Sequence, residues 1–184
     1  MLWDGAAYPR LALHLARLTR SAGALGWALP RVDLPAPGSA ARVRLMADAT
    51  GAVTAEVFGL PDAKPEWVVS VSGVVLGPSP LRRFKTNARA DYEAARAAMP
   101  WDEALMVNPA GEVCEGTITT VFFDRGQGLR TPPLSCGLLE GVLRAEIAAP
   151  EEVLRIEDLP RVRLWVGNAL RGLIPARLAS GDAV

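Results

Sequence analysis

The chain contains a single histidine, His14, so no metal centre or proton relay can be built on more than one imidazole. Cysteine is nearly as scarce. Cys114 and Cys136 are the only two, and their spacing matches neither a disulfide framework nor a zinc site, so both are expected to be reduced and no metal is expected. A surplus of one charge is also missing: 20 basic side chains balance 20 acidic ones, which argues against nucleic acid as the main partner. Trp3, Trp27, Trp67, Trp101 and Trp165 are dispersed, without the interleaved basic residues of a single-strand binding platform. Arg, Pro or Gly break the longest apolar stretches well before membrane-spanning length, and residues 1–5 lack a basic leader with an apolar run behind it. No membrane partner is expected, and a cytoplasmic location is.

What is present is a chain of 184 residues, half of them apolar, enough to bury a core as one domain or as two small ones. Apolar residues at 11, 15, 18 and 22 share one side of a helix, and Gly23, Gly26 and Pro30 mark its end. Residues 43–47, 53–58 and 67–71 read as strands, divided by turns at Gly51 and at 61–65. Gly77-Pro78-Ser79-Pro80 keeps the chain out of both regular structures and reads as a linker. This predicts an α+β protein with a small domain at 1–76, a linker at 77–80 and a larger domain at 81–184. In the second part, 88–99 and 137–148 read as helices, 103–107, 119–123 and 161–166 as strands, and 173–177 as a short strand.

Lys64 and Lys85 are the only lysines, in a chain that otherwise carries its positive charge on arginine. Lys85 opens Lys85-Thr86-Asn87-Ala88-Arg89, thirty residues before Glu115-Gly116-Thr117-Ile118-Thr119. One committed amine, a later carboxylate and a hydroxyl-rich glycine turn are what a pyridoxal phosphate enzyme needs. One group must form the Schiff base, and another must keep the pyridine nitrogen protonated. The turn at 116–120 also offers hydroxyls and N–H groups to a phosphate. Arg82, Arg83 and Arg89 bring positive charge for anionic substrate groups. On the residues alone, a solvated basic turn around Lys85 and a plain hairpin at 115–120 stand as alternatives. His14 reads as a packed or partly exposed helix residue bonded to the backbone. Arg17 shares its face, where it meets either a phosphate or a surface carboxylate. Residues 168–172 either close over a site or simply connect two strands.

Six segments, in order, resemble the class IV aminotransferase family, the fold-type IV pyridoxal phosphate enzymes. They are His14-Leu15-Ala16-Arg17-Leu18, Lys85-Thr86 with Arg89, Asp102-Glu103-Ala104-Leu105, Gly111-Glu112-Val113 with Glu115-Gly116, the run 131–137, and 168–175. The resemblance implies pyridoxal 5'-phosphate as cofactor, with Lys85 as Schiff-base lysine and proton shuttle and Glu115 as partner of the pyridine nitrogen. Arg17, Ile118 and Thr119 would hold phosphate, and Arg83, Arg89 and Arg171 are candidates for substrate carboxylates. It also implies a homodimer acting on a small molecule. Within the family, the wording of 115–119 and 131–141 is most similar to the aminodeoxychorismate lyases, which implies conversion of 4-amino-4-deoxychorismate to 4-aminobenzoate and pyruvate in folate synthesis. Amino transfer between an amino acid and a 2-oxo acid is the second reading, and a non-catalytic dimeric homologue the third. Two positions depart from the family pattern: Thr120 stands where Asn is usual, and Leu143 where many members have a phosphate-binding Thr. The start also looks shortened, because typical relatives carry additional strand sequence before the point matched by 2–5.

Overall fold

The computed structural model describes residues 1–28 and 32–180, so Pro30 and residues 181–184 of the expected second domain lie outside it. The chain divides into two compact units, Met1–Ala63 and Lys64–Val184.

The first unit is a three-stranded antiparallel sheet, in the order β1 (Leu2–Trp3), β2 (Ala41–Ala47) and β3 (Val53–Phe58), with helix α1 (Leu11–Ala24). Strand β2 shows why: Ala41 and Val43 are buried while Arg42 and Arg44 are exposed, the two-residue alternation of a half-buried strand. Outside, Arg42 lies 4.4 Å over the Phe58 ring, and Arg44 comes within 3.7 Å of Glu56. The β2–β3 turn closes on Asp48 Oδ1, which accepts from the N–H groups of Thr50 (2.9 Å) and Ala52 (3.1 Å).

His14 has its Nε2 buried without a hydrogen-bond partner among the described residues. Burial, then the charges of the amino terminus, Arg17 and Arg10, lower its pKa from 6.5 to about 3. An unfolded chain therefore takes up a proton below pH 6.5 that the folded chain refuses until about pH 3. This part of the stability is complete above pH 6.5 and is lost as pH falls through that window. Chemical denaturation from neutral to acid pH should show the wild type losing stability more steeply than His14→Gln. Parallel profiles would contradict the assignment.

The second unit holds a six-stranded mixed sheet in the order β6-β5-β4-β9-β8-β7. These strands are β4 (Trp67–Val75), β5 (Glu103–Val107), β6 (Val113–Gly116), β7 (Thr120–Asp124), β8 (Arg163–Asn168) and β9 (Gly172–Leu178). β4 runs parallel to both of its neighbours, and the remaining pairs are antiparallel. Every residue of β5 is buried, because the sheet is covered on both faces. Leu105 and Val107 enter one cluster with Trp67, Val69, Val121, Phe123 and Val166. Ala104 and Met106 enter another with Leu76, Cys114, Leu138, and Tyr92 and Ala95 of helix α2 (Ala90–Ala98).

This topology moves the expected domain boundary. β4 lies inside the larger sheet between β5 and β9, so the division falls at Ala63/Lys64 and not at 77–80. Gly77 and Pro78 do end a strand, but the chain then makes the crossover that a parallel pair requires: a short 3₁₀ turn, Pro80–Arg83, and then α2 leading into β5. The expected helix at 137–148 is shorter, α3 (Val142–Ile147), because Gly137 takes φ +88° after a 3₁₀ turn at Leu134–Cys136. Strand β6 forms where the sequence pattern gives no strand, and Thr119 sits in the turn before β7. Among the described residues no helix is long and apolar enough to cross a membrane.

Candidate active site

Strand β6 ends in Glu115-Gly116, and both residues are fixed by pairing with β5, Glu115 opposite Met106 and Gly116 opposite Leu105. Glu115 is 6% exposed. Its Oε1 accepts from the Tyr92 hydroxyl at 2.6 Å and from the Leu139 N–H at 3.2 Å. Among the described residues, both hydrogen bonds that the carboxylate accepts fall on Oε1. Burial pushes the Glu115 carboxyl above its usual range, against the opposing pull of Tyr92, the Leu139 N–H and the charges of Lys85 and Arg89. The Tyr92 phenol is likewise raised, first by burial and then by the Glu115 charge.

The next turn is built on a second buried carboxylate. Glu103 opens β5 and is 0% exposed. It accepts from the N–H groups of Ala104 (3.1 Å), Thr117 (3.0 Å) and Ile118 (3.1 Å), from the Thr119 hydroxyl at 2.8 Å, and from the Thr117 hydroxyl. Arg96 stands 3.6 Å away. Gly116 is required here by contact: a Cβ would lie 2.2 Å from Thr119 Oγ1 and 2.7 Å from Glu103 Oε2. In this arrangement the Ile118 N–H and the Thr119 hydroxyl, both expected to meet phosphate, donate to Glu103.

Lys85 is exposed, on the segment between the 3₁₀ turn and α2, and its charge reaches Glu115. Arg89 has its guanidinium 4.4 Å over the Tyr92 ring and donates to the Thr117 carbonyl, so it braces the turn. Arg83 is exposed. Arg82, which the sequence does not mark as a substrate ligand, is the better buried arginine. It donates to the Gly77 carbonyl, and a cavity of about 270 Å³ is lined by Arg82, Arg89, Tyr92, Ser79, Thr86 and Leu139 among others. Arg171 stacks 5.1 Å from the Trp67 ring in the β8–β9 turn. That turn touches the 116–119 turn, since Asn168 Nδ2 donates to the Ile118 carbonyl at 3.2 Å. Arg17 belongs to the first unit, where burial and then Arg20 lower its pKa.

The departures at 120 and 143 fall in close-packed places. A Cβ at Gly141 would lie 2.9 Å from Thr120 Oγ1, and one at Gly167 would lie 2.7 Å from Leu143 Cδ2. Leu143 is 3% exposed and fills this space with methyl groups where a threonine would bring a hydroxyl.

Sequence reasoning misses Tyr92, Glu103 and Leu139 as members of the site. Glu103 does carry a signal. A carboxylate opening an apolar strand, Glu103-Ala104-Leu105-Met106-Val107, needs buried partners, and a run of hydroxyls and N–H groups lies downstream.

The fold is that of the fold-type IV pyridoxal phosphate enzymes, a small α/β part followed by a larger one. Residues 1–179 match the family model for amino-transferase class IV, and the chain belongs to that family, whose members use pyridoxal phosphate. It is 40% identical to a provisionally assigned amino-acid aminotransferase structure from Mesorhizobium loti, with a TM-score of 0.92 and 97% of both chains covered. It is 30% identical over 112 residues to a curated protein of Thermotoga maritima, provisionally assigned as a branched-chain-amino-acid aminotransferase; the match spans 59% of this chain and 41% of that relative. The 4-amino-4-deoxychorismate lyase structure from Pseudomonas aeruginosa shares the fold at a TM-score of 0.75 and 18% identity, over 97% of this chain and 81% of that one.

The residues fit the family's cofactor at its ring end. A buried carboxylate that takes both of these hydrogen bonds on one oxygen suits one protonated nitrogen at the other.

Proposed function

We propose that the chain is a pyridoxal-phosphate-dependent lyase that converts 4-amino-4-deoxychorismate to 4-aminobenzoate and pyruvate. The observation that carries the reading is Glu115, a buried carboxylate that takes the Tyr92 and Leu139 hydrogen bonds on Oε1. Bound cofactor would supply the electron sink for loss of the proton on the substrate's amine-bearing carbon, after which the enolpyruvyl group would leave the neighbouring carbon as pyruvate and the ring would become aromatic. Glu115 would hold the protonated ring nitrogen, Lys85 Nζ would anchor the cofactor and then take that carbon's proton, and Arg17 would bind phosphate. Arg83, Arg89 and Arg171 are the candidates for the substrate carboxylates; Arg89 also donates to the Thr117 carbonyl, and Arg171 stacks on Trp67.

The lyase reading is supported by the run 131–141, whose wording resembles the lyases and which delivers the Leu139 N–H to Glu115. It brings with it a homodimer and a cytoplasmic role in folate synthesis, both on family resemblance. Amino transfer is the second reading, favoured by the 40% identity to the Mesorhizobium loti aminotransferase.

Purified protein supplied with pyridoxal phosphate and 4-amino-4-deoxychorismate, and with no 2-oxo acid, is expected to release pyruvate and 4-aminobenzoate in equal amounts. Conversion that occurs only when a 2-oxo acid is added would replace the lyase with the transferase.

A further inference from the structure

The shorter of the two hydrogen bonds to the Glu115 carboxylate comes from a phenol. Tyr92 is buried on α2, packed among Leu76, Ala95, Ala104 and Met106, with the Arg89 guanidinium over its ring. Its hydroxyl reaches Glu115 Oε1 at 2.6 Å, on the same oxygen that takes the Leu139 N–H. Helix and backbone thus converge on one oxygen of the carboxylate.

We propose that Tyr92 is a positioning residue for Glu115: its hydroxyl fixes which carboxylate oxygen stays open to a protonated ring nitrogen, and it favours the ionised form of that carboxylate. The proposal rests on the reading of Glu115 as partner of the cofactor's ring nitrogen. The charged groups around the pair are Lys85 and Arg89 toward Glu115, Arg82 toward Tyr92, and the Cys114 thiol next to Glu115 on β6. That thiol is held neutral, its pKa pushed up to about 12 by burial, then by Cys136 and Glu115. The phenol is therefore a neutral side-chain donor whose removal changes the carboxylate while leaving the local charges as they are.

The test is Tyr92→Phe, which keeps the ring and removes the hydroxyl. In cofactor-free protein, an infrared titration of the Glu115 carboxyl, isolated by subtracting Glu115→Gln, should show the midpoint rising by about one pH unit. Affinity for pyridoxal phosphate should fall by up to about tenfold at pH values below both midpoints, and the loss should shrink as pH passes the new midpoint and the carboxylate ionises in both proteins. In a Glu115→Gln background the same substitution should change affinity little, because the two residues act through one bond.

A reciprocal measurement does not depend on the folding of the phenylalanine variant. The chain has only two tyrosines, Tyr8 and Tyr92, so Glu115→Gln should make the later phenol ionisation begin at lower pH. An unmoved midpoint, a loss of equal size at every pH, or an unmoved phenol titration would each overturn the role of Tyr92. If the wild type itself retains no pyridoxal phosphate, the reading of Glu115 falls, and this proposal with it. If the wild type retains the cofactor and the midpoint stays put, only the Tyr92 assignment falls.

Discussion

Glu103→Ala is expected to destabilise the protein by about 3–5 kcal/mol, the cost of stranding the partners of a fully buried carboxylate. Glu103 has no solvent exposure, and its two oxygens take the N–H of Ala104 together with two backbone N–H groups and two threonine hydroxyls of the 117–119 turn. Alanine leaves those donors without their acceptor and opens a cavity beside Gly116. Urea unfolding should show a lower midpoint with the slope unchanged. Glu103→Gln should recover part of the loss, since one amide oxygen still accepts and the threonine hydroxyls can rotate. An alanine variant within about 0.5 kcal/mol of wild type would mean that the turn is held by something else. Because Thr117 comes directly after Glu115-Gly116, the alanine variant should also retain less cofactor.

Lys85→Ala is expected to leave stability within about 0.5 kcal/mol, because the side chain is exposed, and to reduce kcat/KM by at least about a thousandfold, because the proposed mechanism gives it both the anchoring and the proton-moving role. The other lysine offers no substitute: Lys64 is held by Asp102 at 2.5 Å. Wild-type turnover in a well-folded alanine variant would remove Lys85 from the mechanism under either the lyase or the transferase reading. Circular dichroism and a thermal midpoint matching the wild type would make a loss of turnover interpretable as chemistry.

Local pattern makes much of this architecture legible. The apolar spacing over 11–22 becomes α1, and the alternation in 41–47 becomes β2 with its arginines outward. What local pattern cannot give is partnership across the chain. β4 looks like the last strand of the first domain because two prolines and a glycine lie just beyond it, yet its pairing with β9 joins residues more than a hundred positions apart. The site divides in the same way. Lys85 and Glu115 stand out by scarcity and by resemblance, whereas Tyr92 and Leu139 meet Glu115 only once α2 and the 131–141 run have packed. The partner of the Thr119 hydroxyl is hidden in the same way, since it donates to Glu103, sixteen residues earlier. The positions where the chain departs from its family, Thr120 and Leu143, sit against Gly141 and Gly167, so restoring a hydroxyl at 143 also means giving up the packing that Leu143 now supplies.

The central claim, that Lys85 joins pyridoxal phosphate in this chain, is tested most directly by visible absorption of protein incubated with the cofactor and then freed of unbound ligand. The account predicts a retained visible band in the wild type that Lys85→Ala lacks. A band of equal size in both proteins, or none in a folded wild type, would contradict it; the second result would favour the non-catalytic homologue.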